Sequence, residues 1–197
     1  MQPALFETQS EIPDIEELTY IPHFITANEE MNLVSQINAQ PWLHDLKRRV
    51  QHYGYKYDYK ARGIDPEMYL GPLPYWLENL SQRLHQQSFS PEKPDQVIVN
   101  EYQPGQGISA HIDCAPCFGE TIASLSLGSG AIMQLSNPVT SEKHDIYLEP
   151  CSLIILQGSA RFEWQHAIPA RKSDKVDGIK ISRSRRLSLT FRRVILN

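Results

Sequence analysis

At 197 residues, 41% of them hydrophobic, the chain is long enough for one domain with a sizeable core and needs no second. Its formal net charge of −4 excludes a polycation held to nucleic acid by bulk electrostatics, although ten of the nineteen basic residues crowd into 161–193. The opening Met1 to Glu7 lacks a basic region followed by a long apolar run, and no later stretch is apolar enough to span a bilayer, so a cytoplasmic, monomeric protein with no membrane partner is expected.

In chain order, residues 1–17 read as a loose acidic arm and 18–197 as a single domain. A strand is predicted near Leu18 to Ile21. Thr26 and Glu29 form a capping-box pattern ahead of Leu33, Val34 and Ile37, which predicts a helix of about three turns. Lys47, Arg48 and Arg49 then precede Tyr53, Tyr55, Tyr57 and Tyr59, whose alternation places them on one face of an extended run. That mixture can stack a base and neutralise phosphates, but from composition alone a half-buried hairpin is the stronger reading. Leu73, Trp76, Leu77, Leu80 and Leu84 predict a second helix with its apolar stripe against a sheet.

From Gln96 the texture changes to short strand-like runs at 97–99, 122–127, 132–135, 146–148, 153–156 and 187–194, punctuated by Gly, Pro, Asn and Ser. Helices first and strands afterwards predict a mainly β (α+β) domain, a sheet sandwich with flanking helices on one side. The surroundings of Lys172, Lys175 and Lys180 read equally well as a basic patch or as a solvated loop. Three cysteines give no disulfide framework and suit a reducing compartment. Cys114-Ala115-Pro116-Cys117 lacks the strand-helix-strand setting of a thiol-redox motif, so these are expected to be incidental loop cysteines.

The candidate chemistry begins at His111-Ile112-Asp113. Residues two apart on a strand point the same way, so one imidazole and one carboxylate can face a single metal, with distant His166 completing the set. Two imidazoles and a carboxylate leave open positions on iron. Alone the motif is weak: chance supplies roughly 0.3 of them in such a composition, and a hydrogen-bonded His/Asp pair is the ordinary explanation. The run Arg186 to Arg192 shifts the balance. Leu187, Leu189 and Phe191 share one face, and Arg186, Ser188, Thr190 and Arg192 the other. The arginine Cα atoms stand roughly 20 Å apart, so converging guanidinium groups leave a gap near the length of a five-carbon diacid. The alternative is an edge strand whose charges face water.

With Asn100 to Gly105, His111 to Asp113, Ser124 to Gly128, Trp164 to His166 and the arginine strand in order, the chain resembles the AlkB family of Fe(II)- and 2-oxoglutarate-dependent dioxygenases over roughly residues 20–194. The resemblance implies a double-stranded β-helix, or jelly roll, over about 96–194, with a nucleotide-recognition lid at about 43–62. It implies Fe(II) on His111, Asp113 and His166, with 2-oxoglutarate and dioxygen as cosubstrates. Asn100 and Tyr102 would contact 2-oxoglutarate, Arg186 its distal carboxylate and Arg192 its chelating end. Ser188 stands where many members carry an asparagine near the cosubstrate. Residues Leu46 to Tyr57 most resemble the branch that hydroxylates a modified wobble uridine in tRNA. The expected substrate is therefore a nucleic-acid base, RNA or tRNA in preference to alkylated DNA, gripped by Arg48, Arg49, Tyr53, Tyr55 and Tyr57. The same oxidation of a protein side chain, and a non-catalytic jelly-roll binding module, are the alternatives.

Overall fold

The computed structural model describes residues 12–44 and 46–196. Most of the expected arm, residues 1–11, lies outside that range, but packing begins before residue 18. Ile15 is buried in the inner core, and the Glu17 carboxylate accepts a hydrogen bond from the backbone N–H of Ser159 at 2.9 Å.

The sequence between residues 18 and 102 builds a helical layer on one sheet. Strand β1 (Leu18–Ile21) leads into helix α1 (Ala27–Asn38). The helix starts where Thr26 and Glu29 satisfy each other's backbone: Glu29 N–H donates to Thr26 Oγ1 at 3.2 Å, and Thr26 N–H to Glu29 Oε2 at 2.7 Å. Strand β2 (Val50–Tyr53) precedes α2 (Tyr75–Gln86), which buries Leu77, Leu80 and Leu84. Strand β3 (Gln96–Tyr102) follows.

The remaining strands are β4 (Ile108–His111), β5 (Phe118–Gly128), β6 (Ala131–Ser136), β7 (Lys143–Leu148) and β8 (Leu153–Leu156). Then come a short helix α3 (Gly158–Phe162), β9 (Gln165–Ile168), β10 (Ser173–Val176), β11 (Ile179–Ser182) and β12 (Arg186–Val194). The major sheet has the order β1-β8-β5-β12-β3-β2 and the minor sheet β4-β9-β6-β7; every pairing is antiparallel. The two sheets face each other as the expected jelly-roll core.

Two apolar layers follow from the period-two pattern of the strands. Leu187, Leu189 and Phe191 turn outward onto Leu33, Ile37, Leu77 and Leu84 of the helices. Ile122, Ile154 and Leu156 turn inward onto Met133, Leu135, Ile146 and Ile168 of the minor sheet. Strand β12 lies between β3 and β5, so its polar face is buried rather than at a wet edge.

Three expectations are corrected here. The Lys172–Lys180 region is not a plain loop but the β10–β11 hairpin, whose turn residues Asp177 and Gly178 have φ of 49° and 82°. Such positive values at both central residues are what an Asp-Gly hairpin turn requires. Of the basic residues nearby, Arg171 and Arg183 are ion-paired to Asp174, leaving Lys172, Lys175 and Lys180 exposed.

The cysteine expectation also changes, because Cys114 and Cys117 are joined in a disulfide. Pro116 lies in the single-turn helix Ala115–Cys117, which brings the two Cα atoms to 5.3 Å, within bridging distance.

Finally, the tyrosine run does not keep one face. Gly54 has φ of 76° and packs so closely on the Asp95 carbonyl that a Cβ would overlap it, and the chain turns over at this point. Tyr53 consequently belongs to the helical side, against Trp76, whereas Tyr55 and Tyr57 pack on the inner layer.

Candidate metal centre and its cavity

Strands β4 and β9, too short and too polar to be marked by apolar alternation, set the centre. His111 and His166 are direct partners across this antiparallel pair, and their ring centroids lie 4.4 Å apart. Asp113 follows two residues after His111, with Oδ1 3.5 Å from His111 Nε2. One potential ligand atom from each of the three side chains lies within 4.8 Å of the others.

The protonation pattern suits a cation. Burial pushes His166 down to about 4, which keeps its imidazole neutral near pH 7, and its Nδ1 is buried without a hydrogen-bond partner among the described residues. His111 Nδ1 lies 2.8 Å from the Ser109 carbonyl; a carbonyl only accepts, so Nδ1 carries a proton, and Nε2 is the nitrogen turned toward Asp113 and available as a ligand atom in the neutral tautomer. Burial alone would raise the Asp113 carboxyl, but the Arg192 charge holds it well below the usual carboxylate range. Arg192 Nε donates to Asp113 Oδ2 at 3.0 Å. Behind the ligand, fully buried Arg161 donates from Nη1 to the Asp113 carbonyl at 2.8 Å and from Nη2 to the Cys114 carbonyl at 3.3 Å.

These groups open into a cavity of about 350 Å³ between the sheets. Register explains its polar floor: Arg186 pairs with Tyr102, and Ser188 with Asn100, so the four side chains share the inner face. Arg186 is 3% exposed, and burial lowers its pKa to about 10. Its hydrogen bonds go to neutral groups, the Ser126 hydroxyl at 2.9 Å and the Ser129 carbonyl at 3.3 Å, and its Nε has no partner among the described residues. A desolvated guanidinium served by neutral oxygens makes Arg186 a candidate anion-binding group. Ser188 and Ser124 share a hydrogen bond of 2.9 Å.

The candidate substrate residues divide. Arg48 and Tyr57 line the cavity. Arg48 Nε donates to Asn100 Oδ1 at 2.8 Å, and its guanidinium lies 5.7 Å from the centre of the Tyr102 ring. Arg49, one residue on, points to the opposite face, where it and Arg185 both bind the Glu101 carboxylate at 2.6 Å. Tyr53 donates to Gln51 on the helical side, and Tyr55 packs at a tilt against Tyr69, with ring centroids 5.0 Å apart. Neither tyrosine lines the cavity, nor does Arg49. Tyr59 and Arg62 do line it and were absent from the substrate set. For Tyr59 the alternating tyrosines were a usable signal. Nothing in the sequence marks Arg62 or Arg161.

The profile of the 2OG-Fe(II) oxygenase superfamily matches residues 17–192. The chain belongs to that superfamily. It is a 2-oxoglutarate-dependent dioxygenase of AlkB type, and Fe(II), 2-oxoglutarate and dioxygen are its cofactor and cosubstrates. An uncharacterized protein of Acanthamoeba polyphaga mimivirus is 39% identical over 177 residues, 89% of this chain and 83% of that protein. The alkylated DNA repair protein ALKBH8 homolog of Arabidopsis thaliana is 36% identical, with 97% of this chain and 61% of that protein covered. The mouse tRNA (carboxymethyluridine(34)-5-O)-methyltransferase ALKBH8 is 34% identical, but the match spans 90% of the oxygenase and only 30% of the mouse protein. Among solved structures, OsALKBH1 superposes with a TM-score of 0.69 at 18% identity, covering 90% of this chain and 96% of that one, which is a likeness of fold. The relatives place the oxygenase near the tRNA-modifying branch. Among the described residues, no helix is long and apolar enough to cross a membrane.

Proposed function

We propose that the oxygenase oxidises a C–H bond on a nucleic-acid base, with RNA or tRNA preferred over alkylated DNA. The observation that carries this reading is that Arg48, Tyr57, Tyr59 and Arg62 line the same cavity as the three candidate metal ligands. Two aromatic rings can stack a base, and two guanidinium groups can meet its phosphate or its carbonyl edge. The names of the relatives, repair of alkylated DNA and modification of tRNA, agree with it.

In this reading His111, Asp113 and His166 would hold Fe(II), a set of two imidazoles and one carboxylate whose ligand atoms lie within 4.8 Å of one another. Arg186 receives the distal carboxylate of 2-oxoglutarate. Asn100, Tyr102 and Ser188 make the neutral contacts along it, and Arg192 orients Asp113 and borders the chelating end. Burial raises the Tyr102 pKa, so its hydroxyl stays a neutral donor. Bound iron and 2-oxoglutarate supply the activation of dioxygen, with 2-oxoglutarate converted to succinate and carbon dioxide. The wall tyrosines hold the base unstacked, which costs least in a single strand or a tRNA loop. The product is a hydroxylated base, or, where the carbon oxidised is an N-methyl group, the free base and formaldehyde.

The test is nucleoside mass spectrometry after incubating the full chain with Fe(II) and 2-oxoglutarate and, in parallel, tRNA, methylated single-stranded RNA and methylated DNA. A nucleoside that gains oxygen or loses a methyl group, faster in RNA than in DNA, is expected. Nucleosides unchanged in all three, while the chain still converts 2-oxoglutarate to succinate, would overturn the reading.

A further inference from the structure

The cysteine pair has no part in the oxygenase chemistry above, yet it sits between the two halves of the site. Cys114 directly follows Asp113 and lines the cavity, while Cys117 is buried beneath it. Both sulfur atoms converge on a single acceptor in the recognition loop: the Arg62 carbonyl lies 3.3 Å from Cys114 Sγ and 3.4 Å from Cys117 Sγ. Arg62 has φ of 52°, the left-handed region that a non-glycine residue adopts only when its surroundings hold it there. Its side chain hydrogen-bonds the Tyr57 hydroxyl. The sulfur pair therefore touches the loop at the residue that fixes one of the two cavity tyrosines.

We propose that Cys114 and Cys117 form a reversible dithiol–disulfide site that holds the recognition loop more tightly when reduced, the disulfide seen here keeping only van der Waals contact with it. In the dithiol each S–H can donate to the Arg62 carbonyl. In the disulfide neither sulfur carries a hydrogen, so the same carbonyl faces two atoms that cannot donate. Oxidation proceeds by exchange with a low-molecular-weight disulfide such as glutathione disulfide. One cysteine thiolate attacks it, forming a mixed disulfide and releasing one glutathione thiol; the second cysteine displaces the other. Two electrons and two protons pass from the pair to the reagent, and reduction is the reverse. Cys114, half-buried on the cavity wall, is the sulfur open to attack. Arg161 holds the Asp113 and Cys114 carbonyls, so the backbone at the metal ligand stays anchored and the change is felt on the loop side.

The inference does not depend on the identity of the substrate, and its test uses none. The full chain is equilibrated in glutathione buffers from strongly reducing to strongly oxidising. The state of the pair is read by thiol alkylation and peptide mass, and the loop by the rate of limited tryptic cleavage after the exposed Lys60 and Arg62. Weak S–H donors predict a modest effect: cleavage roughly five- to tenfold faster in the disulfide form. A C114S/C117S variant, which keeps two hydroxyl donors, is expected to stay slow in every buffer, and C114A/C117A to stay fast. Equal cleavage of the two redox forms, a pair that never changes form across the buffers, or serine and alanine variants that behave alike would each overturn the proposal.

Discussion

Arg186 is the residue whose energetics say most about the site. Its burial is unfavourable without an anion, since neutral oxygens repay only part of the desolvation of a guanidinium. Arg186→Gln should therefore melt no lower than the wild-type chain in the absence of ligand. It should lose the rise in melting temperature that 2-oxoglutarate gives the wild type. Its KM for 2-oxoglutarate should climb about thirtyfold or more, the cost of deleting one partner of a buried charged pair. A thermal scan with and without 2-oxoglutarate checks both signs, and a variant still stabilised as much as the wild type would remove Arg186 from the binding role. Arg48 and Arg49 show how neighbours part company: one residue along the chain just before β2 separates a side chain in the cavity from one bound to Glu101.

At the scale of elements, the parts legible in the sequence were those with a period and a cap. Helix α1 carried its capping box, α2 its apolar stripe, and β12 the alternation that separates Leu187, Leu189 and Phe191 from the arginines. Leu77→Ala, which hollows the layer under the sheet, should cost about 2–5 kcal/mol in chemical denaturation. The candidate metal motif stood out in the sequence because His111 and Asp113 are two apart on an extended segment, and the structure brings both together with His166. Strands β4 and β9 were not, since each spans only four residues and is held mainly by what it pairs with. Gly54 defeated the reading of the tyrosines, because one residue with positive φ reverses every face assignment after it. The β10–β11 hairpin was signalled by Asp177-Gly178 but obscured by its lysines.

That hairpin also carries a pH dependence. Burial would raise the Asp174 carboxyl, yet hydrogen bonds from Arg183 and Arg171 outweigh it and hold the carboxyl below its ordinary value. A depressed folded pKa means the contribution is present above the unfolded value near about 4 and is lost as pH falls through the folded one. Hydrogen exchange should show β10–β11 losing protection at acid pH before the major sheet does. Asp174→Asn should show the loss already at neutral pH, with little further change on acidification. Protection unaltered in the variant would mean that the ion pairs do not hold the hairpin.

Across the whole molecule, the jelly roll gives one face of the major sheet to helices and the other to chemistry. Helices α1 and α2 anchor the outer face, so β12 can present buried charge inward without leaving a wet edge. The candidate metal ligands come from the minor sheet and the turn after it, the candidate anion-binding arginine from the major sheet, and the candidate recognition residues from the segments on either side of β2. Ligand binding should thus couple the two sheets. The central claim is that His111, Asp113 and His166 form one metal site beside the Arg186 anion site. It is tested most directly by titrating the full chain with Mn(II), a redox-inert substitute for Fe(II), and following free Mn(II) by electron paramagnetic resonance with and without 2-oxoglutarate. Binding of a single Mn(II) that tightens with 2-oxoglutarate, is lost in His166→Ala, and survives without the tightening in Arg186→Gln is the predicted result. Undiminished Mn(II) binding by His166→Ala would contradict it.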